Sequence, residues 1–150
     1  SRKVSNVWER NWMARIIVID DHYAMRQTIR EVLEDQGHEV LEAPEGESGI
    51  HLQRRSPADL VITDIFMPHK EGMSTIRELC MEFPELPVIA MSGGSRDLTA
   101  PEGFIDLARR FGACATLTKP FQIAELLAVV TYALAGESKN PVPMNQDRGH

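Results

Sequence analysis

The amino-acid sequence predicts an α/β domain: a five-stranded parallel sheet with helices on both faces. Three observations carry that expectation. Short apolar runs alternate with helix-period segments in five β/α units, and such alternation builds a parallel sheet. The runs lack polar alternation, as strands buried on both faces do. Polar and charged residues follow the runs, at the edge where open α/β sheets place their sites.

The elements follow in order. The first strand covers about 15–19. A helix from roughly 22 to 36 repeats Met25, Ile29, Val32 and Leu33 at helical spacing, and Gly37 stops it. His38 to Leu41 reads as a shorter second strand, and a weaker helix over about 45–55 ends before Pro57. Asp59 to Thr63 is the third strand. A loop with Met67 and Pro68 leads to a third helix with Met73, Ile76, Leu79 and Cys80 on one face. Pro84 and Pro87 bracket a turn before the fourth strand, Val88 to Met91. Ser92 to Pro101 is rich in Gly, Ser and Asp and reads as a long loop. A helix over about 102–110 carries Phe104, Ile105, Leu107 and Ala108. Ala113 to Thr118 is the fifth strand. The last helix starts near Gln122 and puts Ile123, Leu126, Leu127, Val130 and Leu134 on one stripe.

The expected domain covers 14–136, with both ends as appendages. Residues 1–13 have no periodicity but contain Trp8 and Trp12. Two readings stay open: Met13 is the natural start, or the segment is an arm whose tryptophans pack on the domain or on a partner. Residues 137–150 are polar, include Pro141 and Pro143, and read as a disordered tail.

Composition narrows the function classes. The chain has 150 residues, 43% hydrophobic, which suits one globular domain. A net charge of -6 repels nucleic acid and anionic membranes, so neither is expected as a direct partner. No apolar run is long enough to span a bilayer, and no secretion signal is legible. Cys80 and Cys114 lack C-x-x-C spacing and read as buried thiols. A cytoplasmic location fits all of this.

The chemistry gathers at strand ends. Asp20 and Asp21 end the run Ile16 to Ile19, and Asp64 ends the run Leu60 to Thr63. On neighbouring parallel strands these carboxylates meet. Three like charges at such range share protons or hold a cation. Carboxylates suit a hard ion such as Mg²⁺. Ser92 and Lys119 fall at two further strand ends. One of the paired acids doubles as the N-cap of the next helix. His22 follows the acid pair, where it either touches the site or, the favoured reading, stands as an exposed first-turn histidine; His38, His51, His69 and His150 show no ligand spacing.

The pieces IIVIDD at 16–21, VITDIFMP at 61–68, VIAMSG at 88–93 and TLTKPF at 116–121 together resemble the receiver domain of two-component response regulators, of the single-domain, chemotaxis-regulator kind. The resemblance implies a flavodoxin-like (βα)5 fold with strand order 2-1-3-4-5. It implies that Asp64 is a phosphoacceptor, taking a phosphoryl group from a sensor histidine kinase or a histidine phosphotransfer protein. Asp20, Asp21, Asp64 and the backbone carbonyl of Phe66 would hold Mg²⁺. Lys119 and the Ser92 hydroxyl would grip phosphoryl oxygens. The peptide bond before Pro120 is usually cis in this family, which would aim Lys119 into the pocket. The chain would signal to an output protein through its fourth helix, fifth strand and last helix, and would not be an enzyme beyond self-phosphorylation and self-dephosphorylation. Output would act in trans unless the chain is a piece of a larger regulator. A homodimer stays open.

Two departures stand out. Thr116 replaces the Tyr or Phe that many members carry three residues before the lysine, so the aromatic half of the usual switch is missing. Phe66 replaces a polar residue and would shield an acyl phosphate from water, whereas Gly94 removes shielding on the other side. The Gly93-Gly94-Ser95 run suggests a loop that phosphorylation rearranges across 92–111. Two other function classes compete. One is a Mg²⁺-dependent phosphohydrolase with an aspartate nucleophile, but such enzymes place an Asp where Phe66 stands. The other is a degenerate receiver serving only as an interaction module.

Overall fold

A computed structural model describes residues 13–65, 72–93 and 101–136. Strands β1 (Arg15–Ile19), β2 (Glu39–Ala43), β3 (Leu60–Asp64), β4 (Val88–Ser92) and β5 (Ala115–Thr118) alternate with helices α1 (Tyr23–Asp35), α2 (Gly46–Arg55), α3 (Gly72–Glu82), α4 (Pro101–Arg110) and α5 (Ile123–Leu134). The sheet order is β2-β1-β3-β4-β5, as the resemblance implied, and every strand pair is parallel. Ile17 stands beside Leu41 on one side and Val61 on the other. Ile62 pairs with Ile89, and Met91 with Leu117.

The apolar runs behave as strands buried on both faces. Every residue of β3 and β4 is buried. One face packs Ile16, Val18, Ile62 and Met91 against Ile29 and Leu33 of α1 and Leu126 and Val130 of α5. The other packs Ile17, Ile19, Val61 and Val88 against Ile50, Ile76, Leu79 and Ala108, from α2, α3 and α4. Each fully buried Leu or Ile side chain contributes about 1.5–3 kcal/mol of transfer free energy. These two apolar layers hold the sheet between the helices and leave its carboxyl edge for polar residues.

Gly37 ends α1 with φ 96°. Its amide reaches the Glu34 carbonyl at 2.9 Å, and the His38 amide reaches that of Leu33 at 3.1 Å. That pair of bonds is a Schellman cap, which needs the left-handed conformation glycine adopts without penalty.

Some expectations shift. Ile123 was placed on the buried stripe of α5, yet it is 59% exposed. It opens the helix just past the end of β5, at the sheet edge, so the apolar layer begins with Leu126. β2 runs on to Ala43, and β5 starts at Ala115 rather than Ala113. The N-cap of α1 is His22, not an aspartate. Neither cysteine forms a disulfide. Residues 1–12 and 137–150, and with them the expected arm and tail, lie outside the described residues, as do 66–71 and 94–100. Among the described residues no helix is long and apolar enough to cross a membrane.

Candidate functional site: an acid pocket at the carboxyl edge

The strand order brings the ends of β1, β3, β4 and β5 side by side. Asp20 follows β1 and is fully buried. Four bonds fix it. Its amide donates to the Ala43 carbonyl at 3.1 Å. Its carbonyl accepts from Arg26 Nη1 at 2.7 Å. Its Oδ1 accepts the His22 amide at 2.9 Å, and its Oδ2 accepts Lys119 Nζ at 2.9 Å. Asp20 thus steadies the start of α1 from two residues ahead of the N-cap.

Asp64 closes β3 and is 2% exposed. Its Oδ2 accepts from the same Lys119 Nζ at 3.1 Å. The start of α3 presses against this strand end. A Cβ on Gly72 would lie 2.6 Å from the Asp64 carbonyl oxygen and 2.2 Å from Ile65 Cα. Any larger residue there would push the helix off the strand that carries Asp64.

Lys119 reaches this pair because of the backbone behind it. Its peptide bond to Pro120 is cis, and its amide donates to the Ser92 carbonyl at 3.0 Å. Burial pulls its ammonium toward deprotonation. The hydrogen bond it donates to Asp20 and the charges of Asp64 and Asp20 outweigh that pull, so its pKa lies above the ordinary lysine value. Lys119 therefore stays charged at neutral pH.

Ser92 ends β4 and is 2% exposed, and its Oγ has no hydrogen-bond partner among the described residues. A buried hydroxyl without a partner costs about 1–3 kcal/mol. That of Ser92 stands at a strand end beside the acid pocket. Asp21 is more open, with 30% of its side chain exposed.

Donor atoms of Asp20, Asp21, His22 and Asp64 all lie within 4.8 Å of one another. The structure thus gathers the predicted Asp20, Asp21, Asp64 and Lys119, and sets Ser92 on the neighbouring strand end. Phe66, whose carbonyl was expected to join them, and the loop at Gly94 lie outside the described residues. The donor chemistry fits a divalent cation: among the described residues three carboxylates meet, and one lysine bridges two of them.

One feature was only an open alternative in the sequence, and another escaped it. His22 is exposed, as expected, and its Nδ1 also stands 3.4 Å from both Asp20 and Asp21. Arg26 holds the Asp20 carbonyl while its Nε bonds Glu42 at 2.9 Å. Gln27 and Arg30 bond the same Glu42. The available signal was Arg26 and Arg30, one helical turn apart on α1, ahead of an acid inside the β2 run.

Comparison with known proteins agrees with this geometry. The family model of the response regulator receiver domain matches residues 16–131. The chain is 34% identical over 126 residues to protein PilH of Pseudomonas aeruginosa, covering 83% of this chain and 100% of PilH. It is 30% identical over 122 residues to the transcriptional regulatory protein PdtaR of Mycobacterium tuberculosis, covering 81% of this chain but only 57% of PdtaR. The crystal structure of a response regulator receiver domain protein from Clostridium thermocellum superposes with a TM-score of 0.72 at 32% identity, over 81% of this chain and 94% of that one. With its (βα)5 order and a strand-end acid pocket gripped by a lysine, the chain belongs to the receiver-domain family of response regulators.

Proposed function

We propose that Asp64 is the residue that accepts the phosphoryl group, and that Lys119, Ser92 and the acids beside it make the transfer feasible. The observation that carries this is the bridge of Lys119 Nζ to Asp20 and Asp64 at the carboxyl edge. A carboxylate oxygen of Asp64 forms the new P–O bond as the N–P bond of a phosphohistidine breaks. The departing imidazole keeps the electron pair and takes up a proton. Attack by one anion on another is opposed by repulsion, and local positive charge offsets it. Asp20, Asp21 and Asp64, with the Phe66 carbonyl, would hold Mg²⁺, which supplies that charge on the transferring oxygens.

This chain's own groups do the rest. The backbone of Lys119 is held by its amide bond to the Ser92 carbonyl, while its ammonium can pass from the carboxylates to a phosphoryl oxygen. The Ser92 hydroxyl gains its missing partner from another oxygen. These two new bonds distinguish the phosphorylated from the free state, and only such a difference shifts a conformational equilibrium.

The donor would be a sensor histidine kinase or a phosphotransfer protein, and the protein would act in the cytoplasm. Turnover would be limited to gaining and losing its own phosphoryl group. The output face would be α4, β5 and α5. Thr116 supports this reading: half-buried, it lines a groove of about 490 Å³ with Leu117, Thr118, Glu125, Ala128 and Val129, where other members carry an aromatic ring. The groove offers space for a partner's side chain. The chain spans 57% of the length of PdtaR, and whole-protein output is proposed only as a contact of this face with another protein or domain.

The test is beryllofluoride, a phosphoryl mimic, added with and without Mg²⁺ and followed by amide chemical shifts. Shifts at Ser92, Thr116 and Lys119 that need both additions, and that vanish in Asp64→Asn, are the expected result. Shifts that persist in Asp64→Asn overturn the assignment.

A further inference from the structure

We infer that His22 is a ligand of the acid pocket, and that its imidazole turns the pocket's preference from Mg²⁺ toward divalent ions that accept nitrogen, such as Mn²⁺ and Ni²⁺. The inference rests on the reading of the acid cluster as a cation site. It concerns which cation that site favours.

Position comes first. His22 is the N-cap of α1, directly after the acid pair. Its extended backbone, φ -91° and ψ 110°, turns the chain into the helix. Its side chain makes no capping bond to that helix. Its Nδ1 instead lies 3.4 Å from Asp20 Oδ1 and 3.4 Å from Asp21 Oδ1. Neutral imidazole with Nδ1 unprotonated offers a lone pair there.

The spacing is slightly wider than one coordination sphere and would close onto an ion by a small movement. Ligand atoms about 2.1 Å from an octahedral ion stand about 3 Å apart when adjacent and about 4.2 Å apart when opposite. One donor atom each from Asp20, Asp21, His22 and Asp64 lies within 4.8 Å of the others. The His22 side chain is 69% exposed, so little packing resists a small rotation toward an ion.

Asp20 keeps its two oxygens apart for two purposes. Its Oδ2 is taken by Lys119, and its Oδ1 faces His22. An ion joined by His22 would therefore approach on the edge of Asp20 that the ammonium leaves open. Ligand chemistry then sets the preference. Mg²⁺ takes oxygen and holds its waters, so an imidazole adds little to its binding. Affinity for nitrogen rises along the first-row series through Mn²⁺ to Ni²⁺.

The test titrates Mg²⁺, Mn²⁺ and Ni²⁺ into the wild-type chain, His22→Ala and Asp21→Asn by calorimetry, with pulsed electron paramagnetic resonance of the Mn²⁺ form. We expect His22→Ala to lower the ratio of Ni²⁺ to Mg²⁺ affinity by about tenfold or more. Its Mg²⁺ affinity should stay within about twofold of wild type. The nitrogen modulation on Mn²⁺ should be present in wild type and absent from His22→Ala. A His22→Ala protein with the wild-type ratio and nitrogen signal overturns the inference while the acid pocket stands, because Asp21→Asn still weakens Mg²⁺. A wild type whose titrations match those of Asp21→Asn overturns the pocket reading and this inference together.

Discussion

Two clusters of buried or half-buried charge sit within one helix of each other, and they are built in opposite ways. At Glu42, one carboxylate collects two guanidiniums and an amide, from Arg26, Arg30 and Gln27. Its side chain is 14% exposed. At the strand ends, three carboxylates gather among the described residues, one ammonium bridges two of them, and a nearby hydroxyl is left without a partner. The first cluster is locally complete and ties α1 to β2. The second is short of positive charge and of a hydrogen-bond acceptor, the deficit that the proposed cation and phosphoryl group would fill. Arg26 belongs to both, through the Glu42 carboxylate and the Asp20 carbonyl. The contrast teaches that burial of charge is not in itself a sign of function. The ratio of acid to base decides.

The largest expected effect on stability is at the complete cluster. Glu42→Ala leaves two arginines without their shared acceptor and costs about 2–3 kcal/mol in urea unfolding. A cost near zero would break the comparison. A pH series sharpens it. Burial pushes the Glu42 carboxyl up, but the bonds from Arg30, Arg26 and Gln27 outweigh that and hold it below the usual carboxylate range. A depressed folded-state pKa contributes stability that is fully present above the unfolded value, about 4.3, and is lost as pH falls through the lower folded value. Glu42→Gln should flatten this acid limb. A wild-type slope retained by Glu42→Gln contradicts the assignment.

Next in size is the response to cation. Mg²⁺ at ten times its Kd should stabilise the wild-type chain by about 1.4 kcal/mol. Asp21→Asn should lose most of that gain while Glu42→Gln keeps it. Equal gains in all three proteins would place the cation elsewhere. The smallest effect has the opposite sign to an ordinary lesion. Without divalent ions, Asp21→Asn relieves repulsion and should raise stability by about 0.5 kcal/mol. A clear loss would show that the pocket is not short of positive charge.

The strands and their terminal acids were legible because each is written in a few consecutive residues. The run Ile16 to Ile19 and the acids after it need no knowledge of the rest of the chain. Lys119 and Ser92 were legible as residues at strand ends, but their roles came only through the family resemblance, since a lone lysine or serine carries no signal of its own. The Glu42 network was not legible. Its partners are 12 to 16 residues away and meet only when α1 packs across β2. His22 was half-legible: its exposure followed from its place, whereas its approach to two carboxylates depends on how the chain turns into α1. Ile123 fits the periodic stripe of α5, but periodicity does not say where the helix clears the sheet.

The claim on which the account turns is that the acyl phosphate forms at position 64. Incubation with acetyl phosphate and Mg²⁺, reduction with borohydride, and peptide mass mapping locate it directly, because reduction converts a phosphorylated aspartate into an alcohol. The account predicts that Asp64 alone is converted, and that omission of Mg²⁺ prevents it. Conversion at Asp20 or Asp21, or an equal yield in Asp64→Asn, would contradict it.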